Sequence, residues 1–451
     1  MNNGEAGLKK EGLVILLLSF ALTLVVMNTM MFNLALPDVE KQFSLSAIAT
    51  SWIVTGYSIV FAIASITYSR LSDFIPMKLL FLIALSSLSV ASIIGFFSNS
   101  FLLLMAARLI QATGAGAIAA LGIVLVTRFI PADRRGRAMA LIMSATSLGL
   151  GLGPVIGGVI VEYLGWHYLF AVTAIMILLI PMFYKMIPAE SRKSGSFDVA
   201  GALLIGIGTT GLLLALTSRS LVALIIGVVA VALFWWRIHK AKDPFVQPDL
   251  FRNKPYMLLG MLGVTSYMNN FAALFLVPQV LAGVYHLTPA QSGLIVFPGS
   301  LATMVASRYI GSTIDRLGNR FFIRLAPIGL LAASLALAFS AVHSYWAILV
   351  IYMLLSVSFS ALTSSVSNEM SRLLPQKEIG AGMGLFQLAQ FFSGALTAAL
   401  IGTAIVWQAQ LAKSEAFNHI LWGMSVIVLC TVVSSLLYTR SAARQASRQA
   451  A

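Results

Sequence analysis

The sequence predicts an all-α fold, that of a polytopic membrane protein with fourteen transmembrane helices, and three observations support this. Of the 451 residues, 59% are hydrophobic and only 10% are charged, whereas soluble domains carry about 25% charged residues. Runs without Asp, Glu, Lys or Arg recur along the chain, at the length of about 20 residues that a helix needs to cross the hydrocarbon core. The basic residues gather in alternate turns. Lipid is therefore the solvent that fits this chain.

The uncharged runs set the number of helices. Runs such as Gly12–Pro37 and Ala138–Val161 fit one helix each, while Pro255–Ser307 and Leu325–Asn368 are long enough for two crossings with a polar turn between them. The predicted helices span residues 12–36, 46–68, 79–98, 101–127, 138–161, 165–187, 199–217, 220–238, 256–282, 290–312, 322–342, 345–367, 380–406 and 418–439. An even number of crossings places both termini on the same side of the membrane.

The basic residues orient these helices. With the N-terminus in the cytoplasm, all but four of the 29 Lys and Arg residues fall in or beside cytoplasmic segments, as the positive-inside rule requires. Lys41, Arg219 and Lys413 face outward, and Arg108 lies within a helix. The net charge of +14 is therefore a topology signal and not the mark of a nucleic-acid partner. We expect a multi-pass protein of the cytoplasmic membrane with both termini in the cytoplasm.

The residue patterns argue against an enzyme, a metal site or a bound cofactor. Cys430 is the single cysteine, and the five histidines show no metal-ligand spacing. The segment Gly206-Ile-Gly208-Thr-Thr-Gly211 matches a dinucleotide fingerprint, but it lies inside an uncharged run with no strand before it. Glycines that let two helices approach closely are the favoured interpretation of this segment.

Two loops of the chain resemble each other. Residues 69–78, Ser-Arg-Leu-Ser-Asp-Phe-Ile-Pro-Met-Lys, follow helix 2, and residues 311–320, Gly-Ser-Thr-Ile-Asp-Arg-Leu-Gly-Asn-Arg, follow helix 10. Internal repeats are typical of transporter folds. The offset of eight helices predicts a six-helix bundle (1–190), two inserted helices with a link (191–245), a second six-helix bundle (246–440) and a cytoplasmic tail (441–451).

Further motifs carry a resemblance to a known family. They are the helix-1 stretch from Asn28 to Asp38, the helix-4 stretch Arg108-Leu-Ile-Gln111-Ala-Thr-Gly114, the helix-5 run from Gly149 to Gly158, the link Asp243-Pro-Phe-Val and the segment Glu378-Ile-Gly-Ala-Gly-Met383. With the two loops, they make the chain resemble the major facilitator superfamily over nearly its whole length. Within that superfamily it resembles the fourteen-helix drug/proton antiporters, especially the tetracycline exporters.

The resemblance implies a cytoplasmic gate formed by the two similar loops. Asp73 with Arg70 and Lys78 would form one latch across helix ends, because charge-assisted hydrogen bonds are strong. Asp315 with Arg316 would form its counterpart. The alternative is solvated loop charge, which contributes little to stability.

The resemblance also assigns a role to helix 5. Its motif places Gly149, Gly153 and Gly157 on one helix with Pro154, so that a neighbouring helix can approach closely and the helix can bend. The family would use this interface to seal the outer half of the protein and to set the direction as export. Ordinary packing of small residues is the alternative.

A central site is predicted around Arg108, the one base well within a helical run. Cations inside the membrane usually face a cavity or a polar partner, and Asn28 and Gln111 lie at a depth that would let them form a site responsive to substrate or proton. The alternative is that Arg108 extends to the outer interface.

Acids that could couple transport to protons are scarce. Related antiporters commonly carry an acid in helix 1, where this chain has Asn28, and the tetracycline branch has one in helix 13, where this chain has the uncharged segment 391–395. Asp38 and Glu162, at outer helix ends, could provide the titrating group that coupling needs. The alternative is that both are solvated.

A set of polar and aromatic residues could line a central cavity, although each one alone could instead serve helix packing. The set is Asn33, Trp52, Tyr57, Gln111, Tyr267, Asn269, Asn270, Gln279, Gln387 and Gln390. Aromatic groups with few polar ones suit a bulky, mostly apolar solute. Because the cavity lacks buried acids, we expect neutral, zwitterionic or weakly cationic amphiphiles rather than compact dications.

The resemblance implies a monomeric exporter of small amphiphilic compounds, such as drugs or antibiotics, that works by alternating access and proton antiport. Its partners would be the lipid bilayer, the solute and protons. Two alternatives stay open. One is a metabolite exporter or facilitator of the same fold without proton coupling, and the other is a membrane sensor or scaffold that does not transport.

Overall fold

The computed structural model describes residue 8 and residues 10–45, 47–190, 197–218, 220–375, 378–408 and 410–450. All regular secondary structure within these residues is helical. Among them, twelve helices are long and apolar enough to cross a membrane. The count of fourteen stays a prediction, because helices 7 and 13 of that count are not among the twelve. Arg219 and the predicted bundle boundary at residue 191 lie outside the described residues.

The helices follow the predicted order, and we number them along the chain. Their bounds are α1 Glu11–Phe43, α2 Ala47–Leu71, α3 Met77–Phe96, α4 Phe101–Phe129, α5 Arg135–Tyr163, α6 Tyr168–Met186, α7 Val199–Ser218, α8 Leu221–Lys240, α9 Lys254–Gly283, α10 Pro289–Leu317, α11 Asn319–Ser340, α12 Tyr345–Leu373, α13 Ile379–Trp407 and α14 Lys413–Ala450. A single helical turn, Asp249–Arg252, lies in the link before α9.

Several helices continue beyond their predicted ends. The first was expected to end at residue 36 but reaches Phe43, and the last was expected to end at residue 439 but continues to Ala450. Hydropathy reports only the part of a helix that lies in hydrocarbon, whereas polar residues with good helix propensity continue the same helix into water. Residues 441–450 of the predicted tail are therefore helical.

Helix α6 has an irregular centre. Its residues Ile175–Leu179 form a 3₁₀ helix between two α-helical halves, and Pro181 follows at the start of the second half. Proline has no N–H to donate, and its ring crowds the carbonyl group four residues earlier, so the preceding turn tightens. Hydropathy alone predicted one continuous helix here.

Two bundles, α1–α6 and α9–α14, meet along two seams. In the first seam α2 lies against α13, and in the second α10 lies against α5. The eight-helix offset of the repeat relates α2 to α10 and α5 to α13, so the two seams are equivalent pairs. This pairing agrees with the eight-helix offset between the two similar loops.

The inserted helices α7 and α8 form a hairpin beside the first seam. They cross closely where Gly211 meets Gly227, and α7 also contacts α2 and α13. Asp198 joins the two ends of the hairpin: its carboxylate accepts hydrogen bonds from Arg237 Nε at 2.7 Å and from the backbone N–H of Phe245 at 3.3 Å. The outer face of α8 is exposed to the surroundings.

Small residues of α5 let it contact a neighbour on each side. Gly149, Gly153 and Gly157, spaced four residues apart, share one face, where they touch the backbone and methionine side chains of α1. The other face meets α10, where Ser300 Oγ donates a hydrogen bond to the Ser147 carbonyl at 2.8 Å. Helix α5 is thus held between its own bundle and the opposite one.

A bulky residue at this crossing should weaken the packing of α1 on α5. We expect Gly149→Leu to destabilise the protein by about 1–3 kcal/mol, because the new side chain would collide with the backbone of α1. The midpoint of thermal unfolding in detergent measures this. Gly260→Leu is the matched control, since a side chain there meets nothing within 4 Å. Equal midpoints for the two variants would contradict the prediction.

Candidate functional site

The first seam ends in a network centred on Asp73, in the loop after α2. Its Oδ2 accepts a hydrogen bond from Arg70 Nη1 at 2.9 Å. Its Oδ1 accepts one from the backbone N–H of Gly380, in the first turn of α13, at 3.2 Å and lies 3.9 Å from Arg128 Nη2. Ser69 Oγ donates to the Gly380 carbonyl at 2.7 Å. One buried carboxylate therefore joins α2, α4 and α13.

Asp315 makes the equivalent contact at the end of the second seam. Its Oδ1 accepts a hydrogen bond from the backbone N–H of Gly136, in the first turn of α5, at 2.9 Å. Its Oδ2 lies 3.5 Å from Arg137 Nε. The sequence paired Asp315 with Arg316, but Arg316 is exposed. The geometry favours Arg137, because it follows the helix start that Asp315 contacts.

Lys78 also lies apart from its predicted partner. Its Nζ sits 3.9 Å from the ring centroid of Tyr184 on α6, because the second residue of α3 faces that helix. Arg128 of α4 is the second base near Asp73 instead, and its Nη1 also lies 3.5 Å from Glu190. The base from α4 could not be identified from the loop sequence alone.

The two networks share one physical design, and we call them the Asp73 latch and the Asp315 latch. Each carboxylate meets an N–H group that has no partner within its own helix, at the end where the helix dipole favours negative charge. The second residue of each contacted helix is glycine, and a side chain at Gly136 or Gly380 would collide with the aspartate. Both latches lie at the same end of the bundle, which we call the latch face.

Burial raises the pKa of the Asp73 carboxyl above its ordinary value, although Arg70, Arg128 and the N–H of Gly380 all act to lower it. A carboxyl whose pKa is higher in the closed latch than in water binds a proton more tightly when the latch is closed. Proton binding therefore favours the closed latch at low pH. This contribution is lost as the pH rises through the raised pKa.

The link after α8 also contacts the Asp73 latch. Arg70 Nη2 donates a hydrogen bond to the carbonyl of Pro244 at 3.3 Å, and the neighbouring side chains of Phe245 and Val246 are buried. The sequence identified this link only by its resemblance. Its contact with the latch depends on tertiary structure that no local pattern reports.

The predicted central residues Asn28, Arg108 and Gln111 lie together and are buried. Arg108 Nη1 donates hydrogen bonds to Asn28 Oδ1 at 2.9 Å and to Gln111 Oε1 at 2.7 Å. The rings of Phe32 and Tyr57 lie on the guanidinium group, with centroids 4.2 and 4.0 Å from Cζ. Arg108 is only 1% exposed, so its side chain does not extend to the outer interface.

The two acids suggested for proton coupling lie elsewhere. Asp38, near the end of α1, and Glu162, near the end of α5, are both exposed. Neither forms an ion pair with Arg108 among the residues that the structure describes. Their assignment as coupling groups stays a prediction.

A cleft of about 240 Å³ lies between the two bundles. Helices α1, α2 and α5 line it from the first bundle, α9 and α13 from the second, and α7 from the insertion. On α13 its lining begins eight residues after Gly380, roughly 12 Å along the helix from the latch face. Its lining is mostly apolar, and the rings of Phe61, Phe271, Phe391 and Phe392 contribute to it.

Two residues of the predicted cavity set, Asn33 and Tyr57, line this cleft. Other members have structural contacts: Tyr267 packs edge-on against Phe359, Asn269 Oδ1 accepts a hydrogen bond from Ser334 Oγ at 3.1 Å, and Gln387 Nε2 donates to the Ala119 carbonyl at 3.4 Å. The remaining members of the set do not line the cleft either: Trp52 is exposed, Gln279 is bonded within its own helix, and Gln111, Asn270 and Gln390 are buried.

The sequence-based interpretation missed the contribution of α7. Thr209, Thr210 and Leu213 line the cleft, although the hairpin was given no chemical role. The adjacent pair Thr209-Thr210 within an apolar run was the available signal. Ser58 and Thr29 supply further hydroxyl groups to the lining.

Comparison with known proteins identifies the family. The model of the Major Facilitator Superfamily matches residues 18–398 and again 259–450. The chain belongs to the major facilitator superfamily. It is a membrane transporter of that family, and its relatives include proteins named as multidrug resistance proteins.

Relatives of this superfamily member match over most of their length. The chain is 26% identical over 422 residues to the riboflavin transporter RibZ of Clostridioides difficile, covering 91% of each protein. It is 25% identical to the multidrug resistance protein Stp of Mycobacterium tuberculosis over 87% of this chain and 75% of that protein. It is 24% identical to the putative multidrug resistance protein MdtD of Klebsiella pneumoniae, over 92% of this chain and 91% of that protein.

A solved structure supports the superfamily fold. The crystal structure of the human organic anion transporter TETRAN aligns with a TM-score of 0.68, covering 95% of this chain and all of that one, at 16% sequence identity. At this identity the likeness concerns the fold alone.

Removing the Asp73 carboxylate should open the first seam at the latch face. We expect Asp73→Ala to leave Arg70 and the N–H of Gly380 without their acceptor, at a cost of about 3–5 kcal/mol for the broken buried pair. Spin-label distances between cysteines introduced in α2 and α13 on a Cys430→Ala background measure the opening. Asp133→Ala is the control, because that side chain is 74% exposed. An unchanged distance in Asp73→Ala would refute the latch.

The closed state of the same seam should become more populated as the pH falls. Because burial raises the pKa of Asp73, we expect the short-distance fraction to grow on acidification and to decline above the raised pKa. The same spin-label pair, followed across pH, measures this. Asp73→Asn cannot titrate and should show a smaller pH dependence. A closed fraction that falls on acidification would contradict the sign of this prediction.

Proposed function

We propose that this transporter exports small amphiphilic compounds, including drugs, from the cytoplasm by alternating access across fourteen transmembrane helices. The cleft between the two bundles, with paired latches at one end, is the observation that carries the proposal. Alternating access needs a solute site between two bundles and contacts that can close one end. In this proposal the latch face is the cytoplasmic side.

The closing contacts suit a reversible gate. Each latch joins the bundles through one carboxylate and one helix start, and not through an extended apolar interface. When the seam opens, water can replace the protein partners of these charged groups. The free energy of breaking a latch is therefore only the difference between its hydrogen bonds within the protein and those to water. The two equivalent seams would open together as one bundle tilts against the other.

The lining of the cleft supports an amphiphilic solute. Phe61, Phe271, Phe391 and Phe392 present aromatic surface, and hydroxyl or amide groups of Ser58, Thr209, Thr210 and Asn33 are placed among them. Pockets of this type bind apolar bodies and use a few polar groups for orientation. Relatives named for multidrug resistance and for riboflavin transport are consistent with aromatic solutes.

The resemblance to tetracycline exporters supports protons as the driving ion. None of the described residues that line the cleft is a carboxylic acid, so a proton would act away from the solute. Asp73 is suited to this role because it bridges the seam and its pKa is raised. Proton binding at Asp73 would then change the balance between closed and open seams.

The absence of a carboxylate among the described lining residues favours a second candidate. This is an exporter or facilitator of the same fold that is driven by the solute gradient or by membrane potential. Such a protein would need the latches to alternate but would need no titrating group. The two candidates differ in their response to an imposed pH gradient.

Transport by purified protein in liposomes separates these candidates. With tetracycline as the fluorescent solute, we expect a pH gradient alone to accelerate transport and an equal membrane potential alone to have a smaller effect. Proton movement measured with a pH dye should accompany the solute. Acceleration by the potential alone would favour the second candidate, and transport by neither would refute the proposed function for this solute.

A filled cleft should block transport in the same assay. We expect Thr210→Trp to slow transport about tenfold, because the larger side chain would fill part of the cleft. A tenfold change corresponds to an overpacking free energy of about 1.4 kcal/mol. Val228→Trp on α8 is the matched control, because Val228 is 53% exposed on the outer face of the hairpin. Equal rates for the two variants would show that the cleft is not the solute path.

A further inference from the structure

The cation at the centre of the first bundle has only neutral partners. Arg108 is 1% exposed and is bonded to two amide oxygens between two aromatic rings. None of the ion pairs formed by the described residues includes it. Charged groups inside a membrane are costly and usually pair with an opposite charge or line a pathway. The missing countercharge indicates a place for an anion.

Two donor atoms of the Asn28–Arg108 pair are left unbonded. Arginine has only donors, so the amide oxygen of Asn28 must face it, and the Asn28 NH₂ group must point elsewhere. Arg108 Nε and Asn28 Nδ2 are both buried and have no hydrogen-bond partner. A buried donor without an acceptor is destabilising, because it has lost its hydrogen bonds to water. A ligand that supplies only acceptor atoms would satisfy both groups.

Gln111 is held in place by the surrounding helices. Its Nε2 donates to Ser92 Oγ at 2.9 Å and to Thr173 Oγ1 at 3.0 Å, which directs its oxygen to Arg108. The guanidinium group is therefore fixed by α3, α4 and α6 without any charge from the protein. Such a fixed donor group pays little ordering entropy when a ligand binds.

One aromatic ring separates this charge from the cleft. Tyr57 lies 4.0 Å from the guanidinium carbon and also lines the cleft. Thr29, next to Asn28 in α1, lines it as well. A rotation of the Tyr57 side chain would therefore connect the donors to the solute space. The apolar lining would hold the body of the solute, and its charged end would reach Arg108.

We infer that the cleft takes an amphiphile with a single anionic oxygen group, such as a carboxylate, which binds Arg108 Nε and Asn28 Nδ2 once Tyr57 moves aside. This inference rests on the proposed function and names the substrate class of the same cleft. It revises the expectation of neutral, zwitterionic or weakly cationic solutes, because a fixed cation with spare donors opposes a cationic group and attracts an anionic one. The lack of buried acids had argued only against compact dications.

Binding of an acid and its amide tests this inference in protein reconstituted into nanodiscs. The probes are 1-naphthaleneacetate and 1-naphthaleneacetamide, which share one aromatic body and differ in charge. We expect the acid to bind at least about tenfold more tightly than the amide, the ratio that one charge-assisted hydrogen bond provides. Equal affinities, or no measurable binding of the acid, would overturn the inference.

Two variants show whether Arg108 is responsible for the preference. Arg108→Gln removes the charge, and its ratio of affinities should fall to about one. Asn28→Asp places a carboxylate next to Arg108. It should abolish the preference for the acid over the amide, because the new carboxylate occupies the place of the anion. The midpoint of thermal unfolding should stay the same or rise. If Arg108 had only a structural role, the Asn28→Asp variant would keep the unsubstituted protein's ratio of acid to amide affinity. That result would refute the anion site.

The binding assay in nanodiscs and the transport assay in liposomes together separate this inference from the proposed function. If the acid binds preferentially but liposomes show no export under any gradient, the anion site stands and the exporter fails. If tetracycline is exported but the acid and amide bind equally, the exporter stands and the anion site is refuted.

Discussion

Lipid allows few places where one helix bundle can bind another reversibly. Within hydrocarbon each helix satisfies its own backbone hydrogen bonds, so the free backbone donors are those of the helix starts. Both latches use these groups: Asp73 bonds the start of α13, and Asp315 bonds the start of α5. Close contact elsewhere depends on small residues, as where α5 meets α1. The latches and the close packing of the helices thus follow from the same shortage of free backbone partners.

The internal repeat explains why the structure uses this contact twice. The two bundles are related by an eight-helix offset, and each presents one aspartate to the start of the equivalent helix in the other bundle. Equivalent bonds therefore join the two seams. The copies are not identical. Ser69 adds a hydrogen bond to the Gly380 carbonyl in the first seam, whereas Gly311 occupies the corresponding position in the second and lies against the backbone of Arg137. The first seam also contacts the link after α8.

Much of the fold could be predicted from sequence, because hydropathy reports directly on the solvent around each helix. The order of the helices follows from the apolar runs, whereas the pairing of α2 with α13 and of α5 with α10 is known only from the structure. The helix end at Phe43 could not be predicted from hydropathy, because a polar helical extension has the same hydropathy as a polar loop. The irregular centre of α6 could not be predicted either, because Pro181 hardly changes the mean hydropathy of the run.

The site was less predictable than the fold. Asp73 and Asp315 were identified by the two similar loops and their resemblance to a family motif, and the Asn28–Arg108–Gln111 group by residue type and depth. Arg128 and Arg137 as partners depend on which helix lies opposite. Polar residues expected in a cavity, such as Asn269 and Gln387, bond to neighbouring helices instead. The lining of the cleft is mostly apolar and includes four phenylalanines, which no composition rule separates from residues of the core or of the lipid-facing surface.

The hairpin of α7 and α8 has a consequence for how such proteins diversify. Asp198 brings its two ends together through Arg237 and the N–H of Phe245, so the insertion occupies little space between the segments that flank it. Its first helix nevertheless supplies threonines to the cleft. Substitutions at Thr209 and Thr210 can therefore change one wall of the cleft without altering either six-helix bundle or the bonds of the two latches.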